Sequence, residues 1–292
     1  MKLNPGFNPT GEFVVWRGTL GQSAHNLITT LGKDSLVNSM VTNEGSDWLY
    51  VAVGMGTTTP GSSDTALVNE IHRELVTARW NPISGQARLL SVMGPYYGNG
   101  HWGEIGIFDV AASRSIVSSC EGVTDWSSDG TLTSEATQVM EGLRSLRTQM
   151  ESGDLLPFWW IPGTPSFTNL GFGTADVFQF WYRTSHDTGE LTVRLGLSAS
   201  NYFQWLWTPG TVDAWALFTG QFATASQVGT PTYEIAYFRL SHTTHVATYY
   251  EYIDWLSIFQ KEGDLMARAT LDFEKAWNEV INVYHTIQYL PE

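Results

Sequence analysis

The sequence predicts an all-β protein with one short N-terminal helix: a discontinuous β-sandwich domain that carries an inserted jelly-roll β-sandwich. Three observations predict it. Aromatic content is 13%, with 13 Trp, 12 Tyr and 14 Phe, and rings pack well on pleated surfaces. Short segments of period-two alternation recur between clusters of turn residues, with no parallel strand–helix–strand rhythm and no exact repeat. Finally, the stretch from Lys261 to Glu292 holds two strands that need partners, while the sheet begun by the first part of the chain looks unfinished.

Taken in order, EFVVWRGTL (12–20) reads as a strand. NLITTLGKDSLVNSM (26–40) spaces its apolar residues by three and four, so its second part reads as a short helix. DWLYVAVGMG (47–56) is a buried strand ended by glycines, and TTTPGSSDTAL is a loop. In NEIHRELVTARW (69–80), Leu75, Val76 and Thr77 favour a strand in the later half. ARLLSVMGPYY (87–97) and HWGEIGIFDV (101–110) are two more strands. CEGVTDWSSDG then enters a new texture, followed by TLTSEATQVMEGLRSLRTQM, two strands turning at Glu141-Gly142. The end of that segment, VMEGLRSLRTQM, also reads as a short helix. VFQFWYRTS (177–185), ELTVRLGLS (190–198) and NYFQWLWT (201–208) alternate strongly. DAWALFTGQF, EIAYFRLSH and TYYEYIDWLSIF continue the series.

The closing strands are DLMARATLDF and NEVINVYHTIQYL, joined near Ala276-Trp277. Lifting out residues 120–259 joins GIFDVAAS to GDLMARATLDF. The expectation is therefore one domain made of residues 1–118 plus 261–292, and an inserted domain of residues 119–260. Insertion at an exposed loop tip is well tolerated, because the ends of a domain often lie close together.

Composition narrows the function classes. The 292 residues are 42% apolar and only 15% charged, so the chain folds and has length to bury a real core. A net charge of −14 repels phosphate backbones and anionic membranes, so no nucleic-acid partner is expected. Cys120 is the sole cysteine. It forms no internal disulfide and reads as a buried small side chain. MKLNPGFNPTGEF has no apolar signal core, and no apolar run nears the ~18 residues of a membrane helix. A product made in the cytoplasm, without membrane insertion, is expected.

The motifs that carry chemistry are few. GNGHWG (98–103) matches GxGxxG, but strand-like sequence lies on both sides, so it is a hairpin turn and not a dinucleotide loop. GTTTPGSSD lacks the lysine of a phosphate-binding loop, and no GxSxG elbow occurs. His242 and His245 come without an HExxH helix or cysteines and read as exposed loop histidines. Glu190, Glu234, Glu251 and Asp254 are not paired by spacing for glycoside hydrolysis. No catalytic residue is assigned and no enzyme is expected. PFWWIP, VFQFWYR and NYFQWLW are ring-rich enough to stack sugars. Alternation sets Phe203, Trp205 and Trp207 against Tyr202, Gln204 and Leu206, and one of those faces must be core. The candidate glycan-binding residues are Trp181, Tyr202, Trp205 and Trp207.

VAVGMGTTTPGSSDTAL, GEIGIFD, LMARATL and NVYHTIQY, in that order, resemble a module of bacteriophage virion proteins found in tail fibres and head appendages. The resemblance covers most of residues 26–112 and 263–289. CEGVTDW, EGLRSLR, VFQFWYR, VRLGLSASNYFQWLW, VGTPTYEIAYFRL and YIDWLSI fall in the order of carbohydrate-binding-module-like jelly rolls, over nearly the whole insert. Together these resemblances imply a non-enzymatic structural protein located in the virion, as capsid decoration, head appendage, tail fibre or baseplate component. The outer domain would anchor to capsid or tail proteins as a homo-oligomer, and the jelly roll would project outward. The alternative they imply is a carbohydrate-binding protein for host-surface glycans, with weak contacts multiplied by repeated copies. No cofactor is required. Related jelly rolls hold a structural Ca²⁺ between the entry segment and the last strand, which implies Glu121, Asp125 and Asp254 as ligands.

Overall fold

The structure, a computed structural model, describes residues 9–42, 48–83, 86–110, 113–160, 173–243, 247–260, 263–276 and 278–288. The first part of the chain forms β1 (Thr10–Arg17), β2 (Leu20–Ile28), α1 (Thr30–Thr42), β3 (Tyr50–Gly54), β4 (Glu70–Trp80), β5 (Gln86–Met93) and β6 (Gly100–Phe108). Then follow β7 (Ser113–Ser118), β8 (Trp126–Ser127), β9 (Thr131–Glu135), β10 (Ser145–Met150), β11 (Phe158–Trp160) and β12 (Val177–Thr184). Next come β13 (Leu191–Ser198), β14 (Asn201–Trp207), β15 (Trp215–Gln221), β16 (Ser226–Val228), β17 (Tyr237–His242) and β18 (Tyr249–Gln260). The chain closes with β19 (Leu265–Lys275) and β20 (Ile281–Gln288). Two compact units result, residues 1–112 with 262–292 and residues 113–261. Among the described residues no helix is long and apolar enough to cross a membrane.

In the first unit the strands close into a barrel in the order β1-β2-β19-β6-β3-β4-β5-β20. The two sheets of the expected sandwich join along both sides, because β19 pairs with both β2 and β6, and β20 with both β1 and β5. β1, β5 and β20 are paired along both edges, whereas β2 meets β19 only at Leu27 and Ile28. Alternation decides the wall: Phe13, Val15, Val283, His285 and Ile287 are buried, while Glu12, Val14, Trp16, Asn282 and Tyr284 face outward. Before α1, the Thr29 hydroxyl accepts the Gly32 amide at 3.0 Å and caps the helix.

The segments VGMGTTTPGSSD, GEIGIF and LMARATL meet in one network. Glu104 of GEIGIF accepts the backbone amides of Gly56 (3.1 Å), Val68 (3.0 Å) and Asn69 (2.7 Å). Arg268 of LMARATL reaches Glu104 at 2.9 Å and Asp64 at 2.7 Å, and its Nη2 donates to the Thr58 hydroxyl at 2.8 Å. A Cβ on Gly54 or Gly56 would sit 2.6 or 2.5 Å from the Glu104 carboxylate, so the glycines of VGMG are required by this close approach. The network fastens the loop between β3 and β4 onto β6 and β19.

His285 is fully buried beside Phe13 (ring centroids 4.4 Å apart) and Trp48 (5.6 Å). Its Nε2 lies 2.7 Å from Asn26 Nδ2. Burial pushes its pKa down to about 3, so it is neutral at physiological pH.

The second unit packs two sheets face to face. One has the order β15-β12-β18-β10-β9, with β7 also paired to β18; the other has the order β16-β14-β13-β17-β11-β8. Rings fill the space between them: Phe158, Phe178, Phe180, Phe203, Trp205, Phe218 and Phe238 are all buried in one cluster. Phe180 lies 4.8 Å from Phe218 and 5.6 Å from Phe238.

Several local expectations change. Residues 113–118, expected with the outer domain, form β7 in the second unit. Arg114 fixes them there, with a bidentate pair to Glu141 (2.7 and 2.9 Å) and a bond to the Ser257 hydroxyl (3.0 Å). VMEGLRSLRTQM holds no helix; it turns at 138–144 and is a strand only from Ser145. The segment 70–80 is strand throughout, because the buried pair of Glu70 and Arg73, 2.7 Å apart, packs its guanidinium over the Phe108 ring at 3.5 Å. His242 is not an exposed loop histidine but a buried one, 2.6 Å from Glu251, which also accepts the Tyr182 hydroxyl at 2.6 Å. His245 lies outside the described residues. Cys120 is buried, as its type predicts, and burial raises its thiol pKa.

Candidate functional site

The rings singled out from sequence are mostly structural. Trp205 is 8% exposed in the ring cluster, with its indole N–H on the Gln221 carbonyl at 3.1 Å. Trp207 is partly buried against the same cluster, edge-on to Phe218 at 5.4 Å. Trp181 points to the opposite side of its strand but is covered by the turn 138–144, and its indole donates to Glu141 at 3.0 Å. Tyr202 is buried beside Tyr237, with Arg194 4.9 Å above its ring. These four do not share an exposed platform. For Trp205 and Trp207 the strong alternation reports core packing, whereas Trp181 and Tyr202 are buried on the opposite faces of their strands, outside the ring cluster.

The three acids do not form a ligand set either. Among the described residues no group of three or more His, Cys, Asp or Glu side chains is placed to hold a metal ion. Asp125 stays exposed, and Glu121 accepts the Leu143 amide at 2.8 Å. Asp254 is buried; its Oδ2 accepts the amides of Met140 (2.8 Å) and Glu141 (2.9 Å), and its Oδ1 has no partner. Burial holds its carboxyl well above the usual range, against those two amides, and the nearby Glu141 and Glu121 push it further up. The Glu141 carboxylate already has a cation, Arg114.

Partly exposed rings lie on the β15-β12-β18-β10-β9 sheet. One cross-strand row runs over all five strands of the β15-β12-β18-β10-β9 path: Trp215, Arg183, Tyr252, Arg147, Thr133. At the usual strand spacing it spans roughly 20 Å. Its neighbour toward the core side is Ala216, Tyr182, Ile253 and Leu146, three of them in the ring cluster, so alternation turns the row outward. Tyr250 and Gln149 extend it, and Tyr250 is 40% exposed.

Each side chain in the row is held. Trp215 and Tyr252 meet edge-on at 6.3 Å and 62°. Arg183 lies 5.8 Å above Tyr252, and Arg147 lies 5.3 Å above Tyr250. Arg183 donates to Gln138 and, at 3.4 Å, to Asp213. Arg147 donates to Glu135 and to the Thr133 hydroxyl, both at 3.2 Å. Bonds from the Thr137 amide and hydroxyl hold Glu135 below the usual carboxylate range, with Arg147 adding to the effect. Burial raises the Tyr252 phenol, against the pull of Arg147 and Arg183, so it stays a neutral hydroxyl. Both arginines are charge-balanced by an acid. The face therefore offers flat apolar rings, fixed donors and fixed acceptors, with little net charge. That combination suits a ligand with apolar faces and many hydroxyls, since a hydroxyl both donates and accepts.

Sequence reasoning missed Trp215, Tyr250 and Tyr252. A signal for the tyrosines was present: in YEYID, Tyr250 and Tyr252 alternate with Glu251 and Ile253. Nothing local said which of the two faces was core.

No family model matches the chain, and no curated protein matches it. Among solved structures, the chain is similar to a family 11 carbohydrate-binding module from Clostridium thermocellum in complex with a β-1,3-1,4-mixed-linked tetrasaccharide, at 8% identity and TM-score 0.36, covering 51% of this chain and 96% of that one. A family 30 carbohydrate-binding module of a cellulosomal cellulase of Clostridium thermocellum matches at 9% identity and TM-score 0.35, covering 52% and 94%. An exo-β-agarase matches at 11% identity and TM-score 0.39, covering 51% of this chain and 25% of that one. Scores this low establish no common fold, so nothing about a ligand is taken from them.

Proposed function

We propose that the second unit is a non-catalytic glycan-binding module whose site is the outer face of the β15-β12-β18-β10-β9 sheet. The observation that carries this reading is the row Trp215, Arg183, Tyr252, Arg147. It is a set of partly exposed rings interleaved with guanidiniums, and each guanidinium is fixed by an acid or amide partner. Rings held in place lose little freedom on binding. Paired charges and a chain charge of −14 favour a neutral glycan over an anionic one. Placement in a virion, anchoring to capsid or tail proteins and homo-oligomer formation rest on the sequence resemblance alone. Copies displayed together would raise a weak affinity through avidity.

Affinity electrophoresis tests the reading. The full chain is run through gels containing soluble neutral polysaccharides: mixed-linked β-glucan, xyloglucan, galactomannan or dextran. At least one should retard the wild type, and Tyr252→Ala and Trp215→Ala should each relieve the retardation. A wild type that migrates freely in every gel overturns the proposal.

A further inference from the structure

We infer that a groove on the outer wall of the barrel is a second binding site, for a neutral saccharide. It lies in the other unit and does not rest on the sheet-face reading. The groove encloses about 610 Å³ and is lined by Trp16, Trp80, Tyr284, Glu12, Arg88 and Asn282, among others. That volume falls within the roughly 300–1,000 Å³ of small-molecule sites.

Strand register builds it. Glu12, Thr286, Arg88 and Trp80 form one row across β1, β20, β5 and β4. Val14, Tyr284 and Leu90 form the next, and Trp16, Asn282 and Val92 the third. Trp16 and Trp80 are 37% and 38% exposed, high values for indoles on a barrel wall. Neither is loose. Trp16 pairs across the ladder with Gly21, and a Cβ there would meet three atoms of the indole at 3.1 Å. The ring therefore lies against the Gly21 backbone and turns its other face to solvent. Trp80 meets Tyr284 edge-on at 6.2 Å, and Arg88 lies 6.0 Å from the Trp80 ring. Arg88 also donates to the Thr286 hydroxyl at 3.2 Å. The groove thus has pre-set rings and polar groups of both kinds: a guanidinium that donates, a carboxylate that accepts, and an amide that does both.

Other occupants fit less well. β1, β5 and β20, which carry most of the groove, are paired on both sides, so none of them offers an edge for a peptide to extend there. A proline-rich peptide would offer mainly carbonyl acceptors, which leaves the Glu12 carboxylate without a donor. An anionic ligand would meet Glu12 and the chain's charge of −14. A pyranose chain meets every requirement: its C–H faces lie on indoles, and its hydroxyls donate to Glu12 and accept from Arg88.

The test uses the full chain carrying ¹⁵N in its tryptophan indoles, with Trp16, Trp80 and Trp215 assigned from Trp→Phe variants. The probes are neutral cello-, xylo-, manno- and malto-oligosaccharides. The indole resonances of Trp16 and Trp80 should shift together and saturate with at least one probe, and should still do so in Tyr252→Ala. Trp16→Ala should weaken that response by about tenfold or more. Asn282→Ala, which removes no ring, should weaken it without altering the far-ultraviolet circular dichroism. Resonances that stay fixed with every oligosaccharide overturn the inference. So does a shift seen only with a proline-rich peptide, or one produced by concentration alone, which would mark contact with a second copy. Trp215 reports the sheet face separately, so either site can fail while the other stands.

Discussion

The barrel and the sandwich are both antiparallel β-structures and each buries a histidine, but in different company: His285 sits among rings with Asn26 Nδ2 at 2.7 Å, whereas His242 lies 2.6 Å from the Glu251 carboxylate. The barrel hides a polar network in which Glu104 and Arg268 fasten a loop, and a neutral histidine. The sandwich fills its centre with rings and keeps a protonation-prone acid, Asp254, under a turn on the outer side of one sheet. The contrast teaches where recognisable sequence comes from. VAVGMGTTTPGSSDTAL, GEIGIFD and LMARATL stand out in the sequence, and they are the segments that meet in the barrel network, so they report a scaffold. The proposed ligand surfaces lie on outward strand positions, where no comparable packing demand marks them.

The largest expected effects lie in the two interiors. Arg268→Met leaves Glu104 buried without its cation and should cost the barrel about 3–5 kcal/mol. Trp205→Ala empties part of the ring cluster and should cost the sandwich about 3–5 kcal/mol. Hydrogen exchange read by mass spectrometry assigns each loss to its unit. If Arg268→Met leaves the protection of residues 55–69 unchanged, the loop is not held by the network.

Acid should then separate the units. His285 has its pKa near 3 when folded and 6.5 as the ordinary value. Above about pH 6.5 it is neutral in both states and its burial costs nothing on this account. As pH falls from 6.5 toward 3, the unfolded chain takes up a proton that the folded barrel refuses, so the barrel loses stability. Asp254 has the opposite sign. Its folded pKa lies above its ordinary value of 3.8, so it costs nothing below that pH and weakens the sandwich progressively as pH rises through the folded value. His285→Phe should flatten the barrel's loss of protection between pH 6.5 and 3. Asp254→Asn should strengthen the sandwich at pH 7 by roughly 1 kcal/mol. Equal pH profiles for the wild type and either variant would refute that assignment.

Smaller still is the stability effect of the partly exposed rings on the outer sheet face. Tyr252→Ala and Trp215→Ala should change sandwich stability by no more than about 0.5 kcal/mol, in contrast with Trp205→Ala. A loss as large as that of Trp205→Ala would mark these rings as core and remove them as a binding surface.

Much of the fold was legible because alternation is a strong signal. INVYHTIQ reads directly as a strand with Val283 and His285 on one face, and the structure buries both. Closure into a barrel was not legible, since it depends on β20 pairing at both of its edges, and no local pattern encodes that. The candidate site was legible only as ring-rich strands. NYFQWLW and VFQFWYR drew attention because they alternate with large rings, and large rings at alternating positions are what a core selects. Trp215 stands in DAWALF, a weaker pattern, and becomes significant only when β12 and β18 set it level with Arg183 and Tyr252. Asp125 and Asp254 looked like partners, but a bend at 120–125 keeps Asp125 in solvent while Arg114 supplies the cation beside Glu141.

The most direct test of the central claim is a titration calorimetry comparison of the wild type with the Tyr252→Ala, Trp215→Ala double variant, against the neutral polysaccharide that most retards the wild type in gels. The account predicts saturable binding by the wild type and a loss of at least about tenfold in the double variant, with the variant as resistant to urea as the wild type. Equal affinity in the two proteins would contradict it.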